Sequence, residues 1–154
     1  PFTNWTFWDS ATRDLPRLPI GPGSEAIGGP GPVAWPDVQR ALLDNRAFLF
    51  TGSQPASYTL GLVEAMHAGI PTVSIGPAWM RVDYGDTDAR ELFEGHELAP
   101  LWADDPATAH HILRRLLNDD GYAADVSRVT RALAREHFDR ATVGAQWRAF
   151  LGAP

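Results

Sequence analysis

One run, Phe48 to Pro77 (FLFTGSQPASYTLGLVEAMHAGIPTVSIGP), limits the fold more than any other part of the chain. Phe48 to Phe50 and Pro71 to Ile75 are apolar without alternation, the pattern of parallel strands covered on both faces. Between them come a Gly/Ser/Pro loop, a helical stretch bearing one acid, Glu64, and a Gly-Ile-Pro turn. Strand, loop, helix, turn and strand in that order make one βαβ unit. The loop brings Ser53, Ser57, Tyr58 and Thr59 to the mouth of the helix. Free backbone N–H groups and the positive end of the helix dipole favour an anion such as phosphate there. Glu64 lies a little over one helical turn beyond Thr59, so its carboxylate reaches the same mouth.

The rest of the chain fits around this unit. Asp9 or Ser10 is expected to open a short helix, and Leu18 to Ile20 a short strand. Val33 to Trp35 reads as another short strand, and Pro36-Asp37 opens a helix with Val38, Ala41 and Leu42 on one side. Ala89 to Phe93 suggests a helical turn and Leu98 to Trp102 a last strand. Asp104 or Asp105 then caps a helix with Pro106 in its first turn, its apolar face made by Ala109, Ile112, Leu113, Leu116 and Leu117. Asp119-Asp120-Gly121 predicts a turn. Two more amphipathic helices follow, marked by Val126, Val129, Leu133 and Ala134 and by Val143, Trp147, Phe150 and Leu151. The expectation is therefore an α/β protein over residues 1–154, a single Rossmann-like domain with a mainly parallel sheet flanked by helices and a C-terminal helical tail.

Composition narrows the partners. The 154 residues are enough to bury a core without disulfides, and with no cysteine there is neither a thiol nucleophile nor Cys-ligated zinc. A formal charge of −6 supplies no basic field for nucleic acid or an anionic membrane, so a phosphate-bearing ligand must be held locally. No apolar run reaches membrane-spanning length and no basic-then-apolar segment opens the chain, which leads to the expectation of a soluble, cytoplasmic protein.

Several short motifs point elsewhere. Gly21-Pro22-Gly23-Ser24-Glu25-Ala26 matches the dinucleotide pattern G-x-G-x-x-A, but that pattern needs a helix directly after it, and Ile27-Gly28-Gly29-Pro30-Gly31-Pro32 forbids one. An irregular Gly/Pro turn is the better expectation. Asp86-Thr87-Asp88 has the D-x-D form of some metal sites and reads better as a solvated loop. His110 and His111 are adjacent and so point in different directions, which makes them poor joint metal ligands. Asn4-Trp5-Thr6 has the form of a glycosylation sequon without a secretory signal.

The central run resembles the donor-binding half of GT-B glycosyltransferases, in particular the group 1, or family 4-like, enzymes. Those carry an apolar strand, a serine, a loop with Glu-Gly-Phe-Gly and then Glu-Ala-Met-Ala-x-Gly-x-Pro-Val-Val. Here Phe48 to Phe50 match the strand, Ser53 the serine, and Glu64-Ala65-Met66-His67-Ala68-Gly69-Ile70-Pro71-Thr72-Val73 the signature. Phe138 and the terminal Gln146-Trp147-Arg148-Ala149-Phe150-Leu151 look like the closing helices of the same enzymes. The resemblance begins near Val33 and covers about two thirds of the chain.

It implies a nucleoside-diphosphate sugar as substrate, no metal or other cofactor, a ribose contact from Glu64, and a diphosphate bound on the amides of Ser57, Tyr58 and Thr59. The family's second glutamate, eight residues earlier, corresponds to Ala56, and family glycines correspond to Ser57 and Thr59. The site is thus better equipped for the nucleotide than for its sugar. The resemblance further implies that transfer requires an N-terminal acceptor domain or partner chain. The alternative is a non-catalytic interaction module on a degenerate glycosyltransferase fold, with Trp5, Phe7, Trp8 and Trp79 as its docking surface.

Overall fold

The structure is a computed structural model that describes residues 4–52, 59–79, 81–82, 85–86, 89–94 and 101–152. It begins with α1 (Trp5–Ala11), a single 3-10 turn (Ser24–Ile27) and α2 (Trp35–Asp44). The βαβ unit follows as β1 (Phe48–Phe50), α3 (Leu60–Ala68) and β2 (Thr72–Ile75). Then come a 3-10 turn (Pro77–Trp79), β3 (Arg81–Val82), β4 (Gly85–Asp86), α4 (Arg90–Phe93) and β5 (Trp102–Ala103). The chain closes with α5 (Pro106–Asn118), α6 (Asp120–Phe138) and α7 (Arg140–Leu151).

The protein is mixed α/β. Its main sheet has three parallel strands in the order β1-β2-β5, with Phe48 opposite Thr72, Phe50 opposite Ser74 and Ser74 opposite Trp102. A separate antiparallel pair joins β3 and β4. In the central strand β2 every residue is buried. Its two hydroxyls remain paired, Thr72 Oγ1 donating to the Ile70 carbonyl (3.0 Å) and Ser74 Oγ to the Ile75 carbonyl (2.8 Å).

The periodic segments fold as the pattern predicts. Leu62, Ala65 and Met66 of α3 are buried, and Gly69 ends the helix at φ +78°, a conformation that favours glycine. Asp105 caps α5 by accepting from Thr108 N (2.8 Å), with Pro106 in the first turn. Ala109, Ile112, Leu113 and Leu116 turn inward from α5, as do Val126, Val129, Leu133 and Ala134 from α6. All but Ala109 join Phe50, Val73 and Phe93 in the principal core. Each buried valine, leucine, isoleucine or phenylalanine among them contributes about 1.5–3 kcal/mol of burial free energy.

Several expectations need correction. The first helix starts at Trp5, not at Asp9 or Ser10, because Phe7 and Ala11, one helical turn apart, are both buried beside Ile75, Ala103 and Ala109. Phe7 is therefore core, with Trp79 edge-on to it at 5.3 Å, and cannot belong to a docking surface. Leu18 to Ile20 forms no strand: Pro16 and Pro19 lack the N–H that a ladder requires. Nor does Val33 to Trp35, since Trp35 is the first residue of α2 with Pro36 in that helix's first turn.

The turn at Asp119-Asp120-Gly121 contracts to one residue. Asp119 donates its N–H to the Arg115 carbonyl (2.9 Å) and accepts from Tyr122 N through Oδ1 (2.9 Å), so it ends α5 and starts α6, leaving Gly121 helical. Strand β1 lies at the sheet edge with Phe48 and Leu49 half-buried, instead of being covered on both faces. The expected last strand begins at Trp102, and residues 98–100 of that expectation lie outside the described residues. Among the described residues no helix is long and apolar enough to cross a membrane.

Candidate functional site

Strand β1 delivers the chain to Thr51, and buried Gly52, at φ +67°, turns it away from the sheet. Ser53, Ala56, Ser57 and Tyr58 lie outside the described residues, so among the expected loop ligands the structure locates Thr59. Thr59 is the N-cap of α3. Its Oγ1 accepts from Leu62 N (3.2 Å), and its carbonyl accepts from Leu62 N (3.0 Å) and Val63 N (3.3 Å). The Thr59 hydroxyl is thereby committed to the helix. Among the described residues the N–H groups of Leu60 and Gly61 have no acceptor, and these are the donors that face the mouth.

Glu64 is half-buried on α3 and lines a cavity of about 1050 Å³. Among the described residues it makes neither a hydrogen bond nor an ion pair. A partly desolvated carboxylate facing a cavity with free acceptor capacity suits a ligand that presents hydroxyl or N–H donors. The cavity also takes in Ala47 and β1 (Phe48, Leu49), α2 (Val38, Ala41) and the inner side of α5 (Leu113).

Sequence reasoning missed several lining residues. Trp5 and Trp8 of α1 stack at 5.0 Å between ring centroids and reach the cavity wall together. Arg17 also lines it, lying 5.1 Å over the Trp8 ring, with Nη1 donating to Asp9 Oδ1 (2.7 Å) and Thr12 Oγ1 (3.3 Å). Arg46 reaches the cavity at the start of β1 while Nε donates to the Leu116 carbonyl (3.0 Å) and Nη2 meets Asp120. The three-residue spacing of Trp5 and Trp8 is a legible helical signal once a helix is placed there. Nothing in the sequence places Arg17 beside them.

The other motifs resolve locally. Gly21 to Ala26 is a closed loop around one 3-10 turn. Gly21 N donates to the Gly31 carbonyl (3.1 Å), and Ser24 Oγ accepts from Gly31 N (2.9 Å). His110 Nδ1 sits 3.0 Å from the Ala11 carbonyl and fastens α5 to α1, while His111 is exposed. Asp86 lies in β4, and Thr87 and Asp88 are outside the described residues. Among the described residues no group of three or more acidic or imidazole side chains is placed to hold a metal ion.

Comparison of the chain with protein-family models, with curated proteins and with solved structures finds no match in any of the three.

Proposed function

We propose that this chain is the nucleotide-sugar-binding domain of a GT-B glycosyltransferase, a Rossmann-like unit that binds a nucleoside-diphosphate sugar at the mouth of α3. The observation that carries the reading is Glu64, half-buried, unpartnered among the described residues and facing the cavity. In this role its carboxylate accepts hydrogen bonds from the ribose hydroxyls. The free N–H groups of Leu60 and Gly61, with the dipole of α3, face the diphosphate and stabilise charge developing on the leaving nucleotide. The parallel β1-α3-β2 arrangement and the glycine stop at Gly69 support the reading, because the resembling signature needs both. Sugar transfer further requires an acceptor-binding half.

Titration calorimetry with UDP, GDP and ADP tests this. At least one is expected to bind, and Glu64→Ala is expected to weaken it by about 1–3 kcal/mol. The matching 2′,3′-dideoxynucleotide, which lacks the hydroxyls, is expected to bind wild type and variant alike. Binding of none of the three, or an unchanged affinity in the variant, overturns the proposal.

A second reading, a non-catalytic interaction module, is favoured by Ala56 in place of the second glutamate and by Trp147 and Phe150, which are 59% and 81% exposed on α7. Light scattering on the eluting protein separates the two: a clean monomer that binds a nucleotide excludes the module.

A further inference from the structure

Trp5 and Trp8 are the aromatic residues of α1 that its core packing does not use. Phe7 and Ala11 are the residues through which this helix enters the core. Trp5, Trp8 and Thr12, spaced by three and four residues, fall on a different face, and all three line the cavity. Among the described residues neither indole belongs to a core cluster or to the half-buried residues packed against one. Both are half-buried, and they stack with ring centroids 5.0 Å apart and planes 28° from parallel.

The pair is braced from several sides. The Asn4 side-chain amide donates to the Thr51 carbonyl (2.9 Å), so α1 begins beside the C-terminal end of β1, one residue before Gly52 turns the chain away towards α3. Thr12 Oγ1 donates to the Trp8 carbonyl (2.7 Å). The Arg17 guanidinium lies 5.1 Å from the centre of the Trp8 ring and is itself held by Asp9 and Thr12. Trp8 therefore has both Trp5 and Arg17 against it, whereas among the described residues Trp5 has Trp8 alone. An indole already fixed in place, with surface left open to a cavity, gives a flat ligand a stacking contact at little further cost in ordering.

The order of groups in a nucleoside-diphosphate sugar decides which part reaches Trp5. On the nucleotide reading proposed above, on which this inference rests, the diphosphate lies at the free N–H groups of Leu60 and Gly61. The ribose then lies on Glu64, one turn further into α3. A ribose carries its base on the side away from the phosphates, and the sugar lies beyond the phosphates. Glu64 and Trp5 stand in walls of the same cavity, so the base is the part that enters it and the sugar is the part left at the mouth. We infer that Trp5, braced by Trp8 and Arg17, is the platform on which the nucleobase of the donor stacks. Such a contact uses the π-face that every base possesses, so it adds affinity for the base without reading its edge.

Isotope-filtered NMR of the wild-type protein with each of UDP, GDP and ADP is the first test. For a nucleotide that binds, NOEs are expected between the Trp5 indole protons and the base protons, and the base protons are expected to move upfield in the indole ring current. Titration calorimetry of two variants is the second. Trp5→Ala is expected to weaken binding at least about fivefold, and Trp5→Phe, which keeps a π-face, to stay within about threefold of wild type. Any loss of α1 structure in Trp5→Ala leaves the NOE result intact, because that is read on the wild-type protein. Base protons without a Trp5 contact, or equal affinities of wild type and Trp5→Ala, overturn the inference. The nucleotide reading survives either of those results if Glu64→Ala still weakens binding, whereas failure of all three nucleotides to bind overturns both.

Discussion

Arg131 lies against the one side of Gly69 that a side chain would occupy, and its Nη2 donates to the carbonyl of the preceding residue, Ala68, at 3.0 Å. Ser127, one turn earlier on α6, donates through Oγ to the Gly69 carbonyl at 2.5 Å. Helix α6 thus closes the C-terminal end of α3, the helix that bears Glu64. Gly69→Ala meets two penalties, the positive φ and the displaced guanidinium. It is expected to destabilise the protein by more than about 1 kcal/mol. Urea unfolding of Gly69→Ala, Arg131→Ala and the double variant checks this. The double variant is expected to lose less than the sum of the singles, and strict additivity refutes the steric part.

Thr130 is fully buried on α6, and among the described residues its hydroxyl has no hydrogen-bond partner. Valine has nearly the same shape without the oxygen, so Thr130→Val removes an unsatisfied polar group and opens no cavity. A gain of about 1 kcal/mol is expected, read as a rise in Tm of roughly 2–4 °C for a chain of this size. A fall in Tm would mean that the hydroxyl is satisfied.

The N-cap of α5 makes stability depend on acid. The Thr108 hydroxyl and then its backbone N–H donate to Asp105 and hold its carboxyl below the usual carboxylate range, against a small opposing effect of desolvation. A lowered folded pKa contributes stability that is present above about pH 4 and lost as the pH falls through the folded value. Asp105→Ala is therefore expected to lower the urea midpoint at pH 6, and the difference from wild type is expected to shrink as the pH falls through the folded value. A constant difference across that range excludes the mechanism.

How far the sequence discloses this protein depends on what fixes each part. Helices α3, α5 and α6 follow from apolar spacing and from caps at Thr59, Asp105 and Gly69, all local signals. Strand β2 follows from an apolar run that the sheet then buries completely. The start of α1 does not follow, because it is set by Phe7 and Ala11 packing into a cluster with Ala109, nearly a hundred residues later. The half coverage of β1 escapes for the same reason: it depends on whether residues 15–20 pair with it, and two prolines decide that they do not. At the candidate site, Glu64 and Thr59 are legible in a contiguous signature. Trp5, Trp8 and Arg17 are not, since only the folded chain brings residues 5–17 to the same cavity as α3.

Trp147 and Phe150 of α7 pack edge-on to each other at 5.9 Å, yet both are largely exposed, and no residue of α7 is buried. Their apolar area therefore remains in water and adds little to the folding free energy. Converting both to glutamine is expected to cost no more than about 1 kcal/mol, the order of an aromatic pair. Leu133→Ala on neighbouring α6, where the side chain is 2% exposed, is expected to cost about 2–5 kcal/mol because it leaves a cavity in the core. Urea unfolding of the two variants under one set of conditions makes the comparison. If the double glutamine variant loses as much as Leu133→Ala, the aromatic face of α7 is covered in solution, and the two rings belong to an interface instead of to solvent.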